Sequence, residues 1–402
     1  MTVTDANGFR TKSARPFPTG RRRVLVVASL TSSLVNFRYD ILRELAMRAE
    51  VLAVAPDDDP ESIARLREIG VRFQRIPMQR VGINPFADLV TLAALIRICL
   101  RFRPHTLFPY TMKPIIYGCL AGRLTRVPDR VPMCTALGYV FFNPDAGRMQ
   151  KLVRRISILL YRVALGGVSK VLVYNEGDTE AFREHRLVAP SVPLVRVPGS
   201  GINLDRFPHV PPMDGPPVFL MIGRILRMKG VPEYAEAARR LKRRFPEARC
   251  QLLGPFDDNP SALRPEQLQE YIDDGSIEYL GETRDVRPVL AASSVFVLPS
   301  YCEGISRSVL EAMATGRAIV TSDGVGCPEP VIEGQTGHVV PVGDAKALAD
   351  AMARFCEDPA LVATMGQAAR DHAAATFDVR VVNRHLLRAL DLPADPVPAV
   401  AN

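Results

Sequence analysis

The chain contains no tryptophan, and aromatic residues make up only 7% of its 402 positions. They do not interleave with the basic residues, and no recognition module is spelled out, so the positive charge is not read as a nucleic-acid surface. No window holds roughly eighteen uncharged apolar residues, the length a membrane span needs. Arg97 interrupts Leu89–Leu100, and Arg162 interrupts Ile156–Val168. The residues before Arg21 lack an apolar segment and read as a disordered arm, not a signal peptide. The cysteines (99, 119, 134, 250, 302, 327 and 356) form no CxxC pair and no zinc spacing. Reduced thiols in the cytoplasm follow from that. The scattered histidines offer no ligand set, and neither a metal nor another cofactor is expected. No GxGxxG opens the first strand–helix turn, which argues against a dinucleotide dehydrogenase. In GRILRMKG (223–230) Lys229 precedes Gly230 and not Ser or Thr, so the segment is not a P-loop.

What is present is the composition of a globular protein, 47% hydrophobic and 23% charged, long enough for two cores. Short apolar strands alternate with amphipathic helices, beginning with Arg23–Ser29 and Val51–Ala55, the pattern of parallel doubly wound sheets. Leu30–Asn36 reads as a loop before a helix on Phe37, Ile41, Leu42 and Leu45. The acidic run Asp57–Glu61 reads as a helix start with Asp59 as N-cap. A Pro-rich stretch, Val210–Pro217, interrupts the alternation, which restarts at Val218–Ile222. The expected organisation is an arm (1–20), a first Rossmann-like domain (21–200) and a second (201–375). A C-terminal helix (376–392) is expected to pack back on the first domain. Residues 1–212 carry 31 Lys/Arg against 17 Asp/Glu, whereas residues 213–402 carry 20 against 26. That asymmetry suggests that the first half meets something anionic, such as a membrane surface or a phosphate-bearing lipid.

The stretch LPSYCEGISRSVLE (298–311) delivers a Glu-Gly loop from a strand onto a helix start, where an open α/β sheet holds phosphorylated ligands. Glu303 and Glu311 lie eight residues apart. Along a helix that is about 12 Å, too far for a hydrolytic pair, which needs roughly 5–9.5 Å. It suits two carboxylates that accept hydrogen bonds from different sugar rings. Arg224 and Lys229 follow another strand end, where a forked and a point cation can hold a diphosphate. Each alone would read as a surface charge.

Together these segments resemble glycosyltransferase family 4, the retaining GT-B enzymes that use nucleotide-sugar donors. SGINLDRF (200–207), GRILRMKG (223–230), EGISRSVLEAMATGRAIVTSD (303–323) and EGQTGHVVPVGD (333–344) carry the resemblance in order across the second half. It implies a GT-B fold, two Rossmann-like domains facing a cleft. It implies that Gly223, Arg224 and Lys229 meet the donor diphosphate, and that Glu311 binds the ribose. Glu303 would meet the donor sugar, with Gly304, Ile305 and Ser306 near sugar and phosphate. Arg224, Lys229 and Glu303 are then the residues expected to carry the chemistry, without a protein nucleophile.

In the first half, NFRYDIL (36–42), PYTMKPIIYGCLAGRL (109–124) and TALGYVF (135–141) resemble the branch that elongates lipid-linked glycans for bacterial surface polysaccharides. Arg38, Lys113 and Gly138 are the acceptor-side candidates, the two cations because they follow strand ends beside the cleft. Ser29–Ser33 and Thr135–Gly138 stand where relatives often have a glycine-rich or histidine-bearing loop. Pro328 in GCPEPV stands where the branch commonly has Arg. The expected activity is transfer of a hexose from a nucleotide sugar, in particular a UDP-sugar, to a polyprenyl-diphosphate-linked glycan. It is expected at the inner face of the plasma membrane, the protein being peripheral. A GT-B nucleotide-sugar epimerase and a non-catalytic nucleotide-sugar module are the alternatives. The helix at Arg148–Leu165 sets Arg148, Lys151, Arg155 and Arg162 against an apolar face. It reads equally as a lipid-facing helix or as one covering a sheet.

Overall fold

The computed structural model describes residues 21–79, 84–142, 147–257 and 262–394, plus a short antiparallel pairing of Val3–Thr4 with Arg10–Thr11. The rest of the expected arm lies outside the described residues. In the first domain β1 (Arg22–Val27), β2 (Ala49–Ala55), β3 (Arg72–Arg75), β4 (Thr106–Pro109) and β5 (Asp129–Arg130) form a parallel sheet ordered β3-β2-β1-β4-β5. Beyond it β6 (Met133–Cys134), β7 (Val171–Val173) and β8 (Leu194–Arg196) pair in parallel, joined through a bridge between Tyr110 and Met133. Helices α1 (Thr31–Arg48) and α2 (Pro60–Glu68) share one core with the sheet. The opposite face is covered by α3 (Pro85–Phe102), α4 (Met112–Leu124), α6 (Arg148–Ala164) and α7 (Glu176–Glu184), with the short α5 (Tyr139–Phe142) between α4 and α6. Right-handed crossovers assign the helices to these two faces.

The caps are legible in the residues. Asp59 accepts from Ser62 N–H and Asn84 from Ala87 N–H, each followed by Pro at the first helical position, a combination typical of helix starts. The expected loop at Leu30–Asn36 is instead helical from Thr31. Thr31 N–H donates to Asp57 Oδ1 at 2.9 Å and its hydroxyl to the Asp57 carbonyl at 2.6 Å. A carboxylate in the next strand's loop thus caps a polar helix start that apolar periodicity does not mark.

In the second domain β9 (Val218–Ile222), β10 (Arg249–Leu253), β11 (Glu278–Tyr279), β12 (Val295–Leu298), β13 (Ala318–Ser322) and β14 (Gly337–Val340) form a parallel sheet ordered β11-β10-β9-β12-β13-β14. Helices α8 (Val231–Arg244), α9 (Pro265–Asp273), α10 (Arg287–Ala291), α11 (Arg307–Thr315), α12 (Ala345–Glu357) and α13 (Ala360–His372) accompany it. All four residues of β12 are buried, each contributing about 1.5–3 kcal/mol of apolar burial. Strand order reverses between β9 and β12, the position at which open sheets of this kind leave a crevice at the carboxyl ends. Ile202 pairs across to the start of α14 (Val379–Ala389), with Val379 N–H donating to its carbonyl at 2.9 Å. Val382, Leu386 and Leu387 of α14 then sit in the same core as Leu34 and Leu42 of α1.

Candidate active site

The chain leaves β9 through Gly223–Gly230 and leaves β12 through Pro299–Ser306, so the switch point brings both segments together. Gly230 sits at φ 77° with a Cβ-sized space already filled by Pro299, and only glycine suits both conditions. Tyr301 N–H donates to the Met228 carbonyl at 3.0 Å, which ties the two loops. The result is a contact between residues 74 apart in sequence: Lys229 Nζ donates to Glu303 Oε1 at 2.5 Å. Arg224, half-exposed, pairs with Asp257 at 2.8 Å.

Helix α11 begins beside this pair. Ser308 Oγ donates to the Ile222 carbonyl at 3.2 Å and ties the first turn to the end of β9. The Ser306 side chain does not cap the helix, and the dipole of a helix start favours an anion there. Glu311, one turn in, is nearly buried and accepts from Arg307 Nε at 3.0 Å. Burial raises its pKa, and Arg307 opposes the rise. Cys302, next to Glu303, has its thiol pushed up to about 12 by burial, so it is not a nucleophile near neutrality. Gly223, Arg224, Lys229, Glu303, Gly304, Ile305, Ser306 and Glu311 therefore lie along the two loops and the single helix that meet at the switch point.

The first domain closes onto this loop. Gly304 lies so near the Thr135 carbonyl that a Cβ would overlap it. Asn175, at the end of β7, donates to the carbonyls of Glu303 and Gly304 at 3.3 and 3.1 Å, and to Asp178 Oδ2 at 3.0 Å. Asp178 is fully buried and its pKa is pushed up to about 6 by desolvation, while hydrogen bonds from Leu137 N–H and Asn175 oppose the rise. Glu329 accepts from Glu176 N–H at 2.9 Å and pairs with Arg196 at 2.8 Å. Asn175, Asp178 and Glu329 are not among the residues that the sequence singles out. The available signal was Asn-Glu-Gly-Asp directly after a strand; its second role needs the other domain to be visible.

The acceptor-side candidates are placed differently from the donor set. Arg38 does not itself follow a strand; its guanidinium reaches Tyr110 and Tyr174, which directly follow β4 and β7. It lies within α1, buried, with its guanidinium over the rings of Tyr110 and Tyr174 at 5.0 and 5.8 Å and donating to Tyr174 Oη at 2.5 Å. Lys113 opens α4 and pairs with Asp88 of α3 at 2.9 Å, both side chains mostly covered. Gly138, at φ 89°, has open space around it and precedes α5. Among the described residues no group of three or more His, Cys, Asp or Glu side chains gathers as a metal site.

Comparison with known proteins bears on the domains and the fold. A family model described as "Glycosyl transferases group 1" matches residues 216–358, and one described as "Glycosyl transferase 4-like domain" matches residues 35–199. An N,N'-diacetylbacillosaminyl-diphospho-undecaprenol alpha-1,3-N-acetylgalactosaminyltransferase of Campylobacter jejuni is 29% identical over 92% of this chain and 98% of its own. A capsular polysaccharide biosynthesis glycosyltransferase, CapM of Staphylococcus aureus, is 22% identical over 89% of this chain and 93% of its own. Among solved structures, sucrose-phosphate synthase of Thermosynechococcus elongatus superposes with a TM-score of 0.74 at 20% identity, covering 92% of this chain and 98% of that one. Anabaena HepE in complex with UDP-glucose superposes with a TM-score of 0.72 at 18% identity, covering 92% and 99%. The fold is GT-B.

Proposed function

This chain belongs to the glycosyltransferases that join a 4-like domain to a group 1 domain, and from that premise we propose that it is a retaining hexosyltransferase. Its donor is a nucleotide sugar, a UDP-sugar, and its acceptor a polyprenyl-diphosphate-linked glycan of bacterial surface-polysaccharide synthesis. The reaction runs at the inner membrane face with the protein peripheral to it. No helix among the described residues is long and apolar enough to cross a membrane. The observation that carries the reading is the Lys229–Glu303 contact at the switch point, beside the start of α11. The acceptor class rests on the full-length likeness to the Campylobacter enzyme, whose name states a diphospho-undecaprenol substrate.

The chemistry follows from charge. Breaking the sugar–diphosphate bond builds negative charge on the leaving oxygen, and cations plus helix amides already aimed there stabilise it more in the transition state than in the ground state. Lys229 and Arg224 pair with Glu303 and Asp257; a diphosphate, with more charge, draws both cations to itself. Glu303, released from Lys229, accepts hydrogen bonds from the transferred sugar, and Glu311 from the ribose. The leaving phosphate takes the proton of the incoming hydroxyl on the same face, which retains configuration without a protein nucleophile.

Incubation with a panel of nucleotide sugars and a lipid-linked acceptor extract tests the reading. Acceptor-dependent nucleotide release is expected. Interconversion of the sugar without acceptor would instead establish an epimerase, and binding without turnover a non-catalytic module.

A further inference from the structure

Helix α6 turns its apolar side outward. Met149, Leu152, Ile156, Leu159 and Val163 follow one another at helical spacing and are 71, 51, 38, 61 and 47% exposed, while the helix buries only Ser157, Tyr161 and Ala164. Its charged residues, Arg148, Lys151, Arg154, Arg155 and Arg162, are all basic, and it contains no acid. Helix α3 repeats the arrangement. Phe86, Leu89, Val90 and Leu100 are 83, 64, 55 and 60% exposed, with Arg97 and Arg101 toward its end. The one acid of α3, Asp88, is buried against Lys113. Both helices pack on α4 in the same outer layer, and both begin at the carboxyl edge of the sheet, the edge that meets the Glu303 loop through Thr135 and Asn175.

Apolar residues left exposed along the face of each helix mark an interaction surface. Exposed apolar side chains on helices whose own exposed charges are arginine and lysine match a bilayer whose interior accepts the strip and whose anionic headgroups meet the cations. We propose that α3 and α6 together form the face by which this protein lies on an anionic membrane, with the first turns of both helices, and hence the cleft mouth, at headgroup level. The proposal rests on the function proposed above for the origin of the lipid. It adds which residues enter the bilayer and how the cleft is oriented.

Flotation with phosphatidylcholine vesicles, with and without phosphatidylglycerol, tests it on the full chain. Wild type is expected to float with the anionic vesicles. Leu152→Ser/Leu159→Ser should weaken that partitioning by roughly tenfold or more, and Lys151→Gln/Arg155→Gln by about tenfold, with most of the salt dependence lost. All four positions are exposed, so an unchanged thermal midpoint shows that the variants fold. Equal flotation of wild type and Leu152→Ser/Leu159→Ser would overturn the proposal. So would a dimer in light scattering that this variant dissociates while wild type ignores vesicles. With a detergent-dispersed short-chain acceptor the variants should transfer as wild type does. Failure of wild type to transfer to any acceptor while it still floats would defeat the functional reading and leave the membrane face standing.

Discussion

The two domains repeat one architecture and use their charges in opposite ways. In the second, the cations that follow strand ends stand at a shared opening, each facing a carboxylate: Arg224 with Asp257, Lys229 with Glu303, Arg307 with Glu311. In the first, Arg38 is enclosed by Tyr110 and Tyr174, and Lys113 is closed against Asp88 between two helices. The outer helices diverge in the same manner. Helix α8, rich in arginine like α6, buries Val231, Tyr234, Ala235 and Leu241, and pairs Arg239, Arg240 and Arg244 with carboxylates. Helix α6 leaves its apolar side uncovered and has no acid of its own. A cation after a strand and an amphipathic helix are therefore signals of position; what they do is decided by what the neighbouring element covers.

The sharpest way to break this contrast is to remove one side chain from each domain. Glu303→Ala should lower the transfer rate by about 10²–10³-fold and leave affinity for UDP equal or higher, because Lys229 loses its competing partner. Lys113→Ala should instead cost about 2 kcal/mol of stability by stranding the covered Asp88 carboxylate, with activity per folded molecule near wild type. Chemical denaturation beside a transfer assay separates the two. A fully stable but inactive Lys113→Ala would return that residue to the acceptor site and remove the contrast.

The smaller effect concerns the seam where the domains meet. Asn175 caps α7 within its own domain and donates to the Glu303 and Gly304 carbonyls of the other. Asn175→Ala loses both roles, whereas Asn175→Asp keeps the capping acceptor and loses the donor. Both are expected to reduce kcat about tenfold, the worth of one to two hydrogen bonds; the alanine variant should also lose about 1 kcal/mol of stability, and the aspartate variant more, because its carboxylate would lie against the buried Asp178 carboxylate. If Asn175→Asp keeps wild-type kcat, the side chain serves the first domain alone.

Legibility in the sequence followed interaction range. Val218–Ile222 and Val295–Leu298 appear as strands with the bounds expected from their uninterrupted apolar runs, and Asp59-Pro60 and Asn84-Pro85 announce their helices locally. The start of α1 was missed because its cap, Asp57, belongs to the following strand's loop. The Lys229–Glu303 contact and the enclosure of Arg38 depend on packing between segments far apart in the chain. Periodicity divided α6 into an apolar and a basic side without showing that the apolar side lacks a neighbour, since coverage belongs to the assembled domain.

The central claim is that the switch point of the second domain grips a nucleoside diphosphate through Lys229. Calorimetric titration of UDP into wild type and Lys229→Ala tests it most directly. The expected result is saturable binding to wild type and an affinity about 10–100-fold weaker in the variant, the loss of a charge-assisted contact. Equal affinities in the two proteins would contradict it.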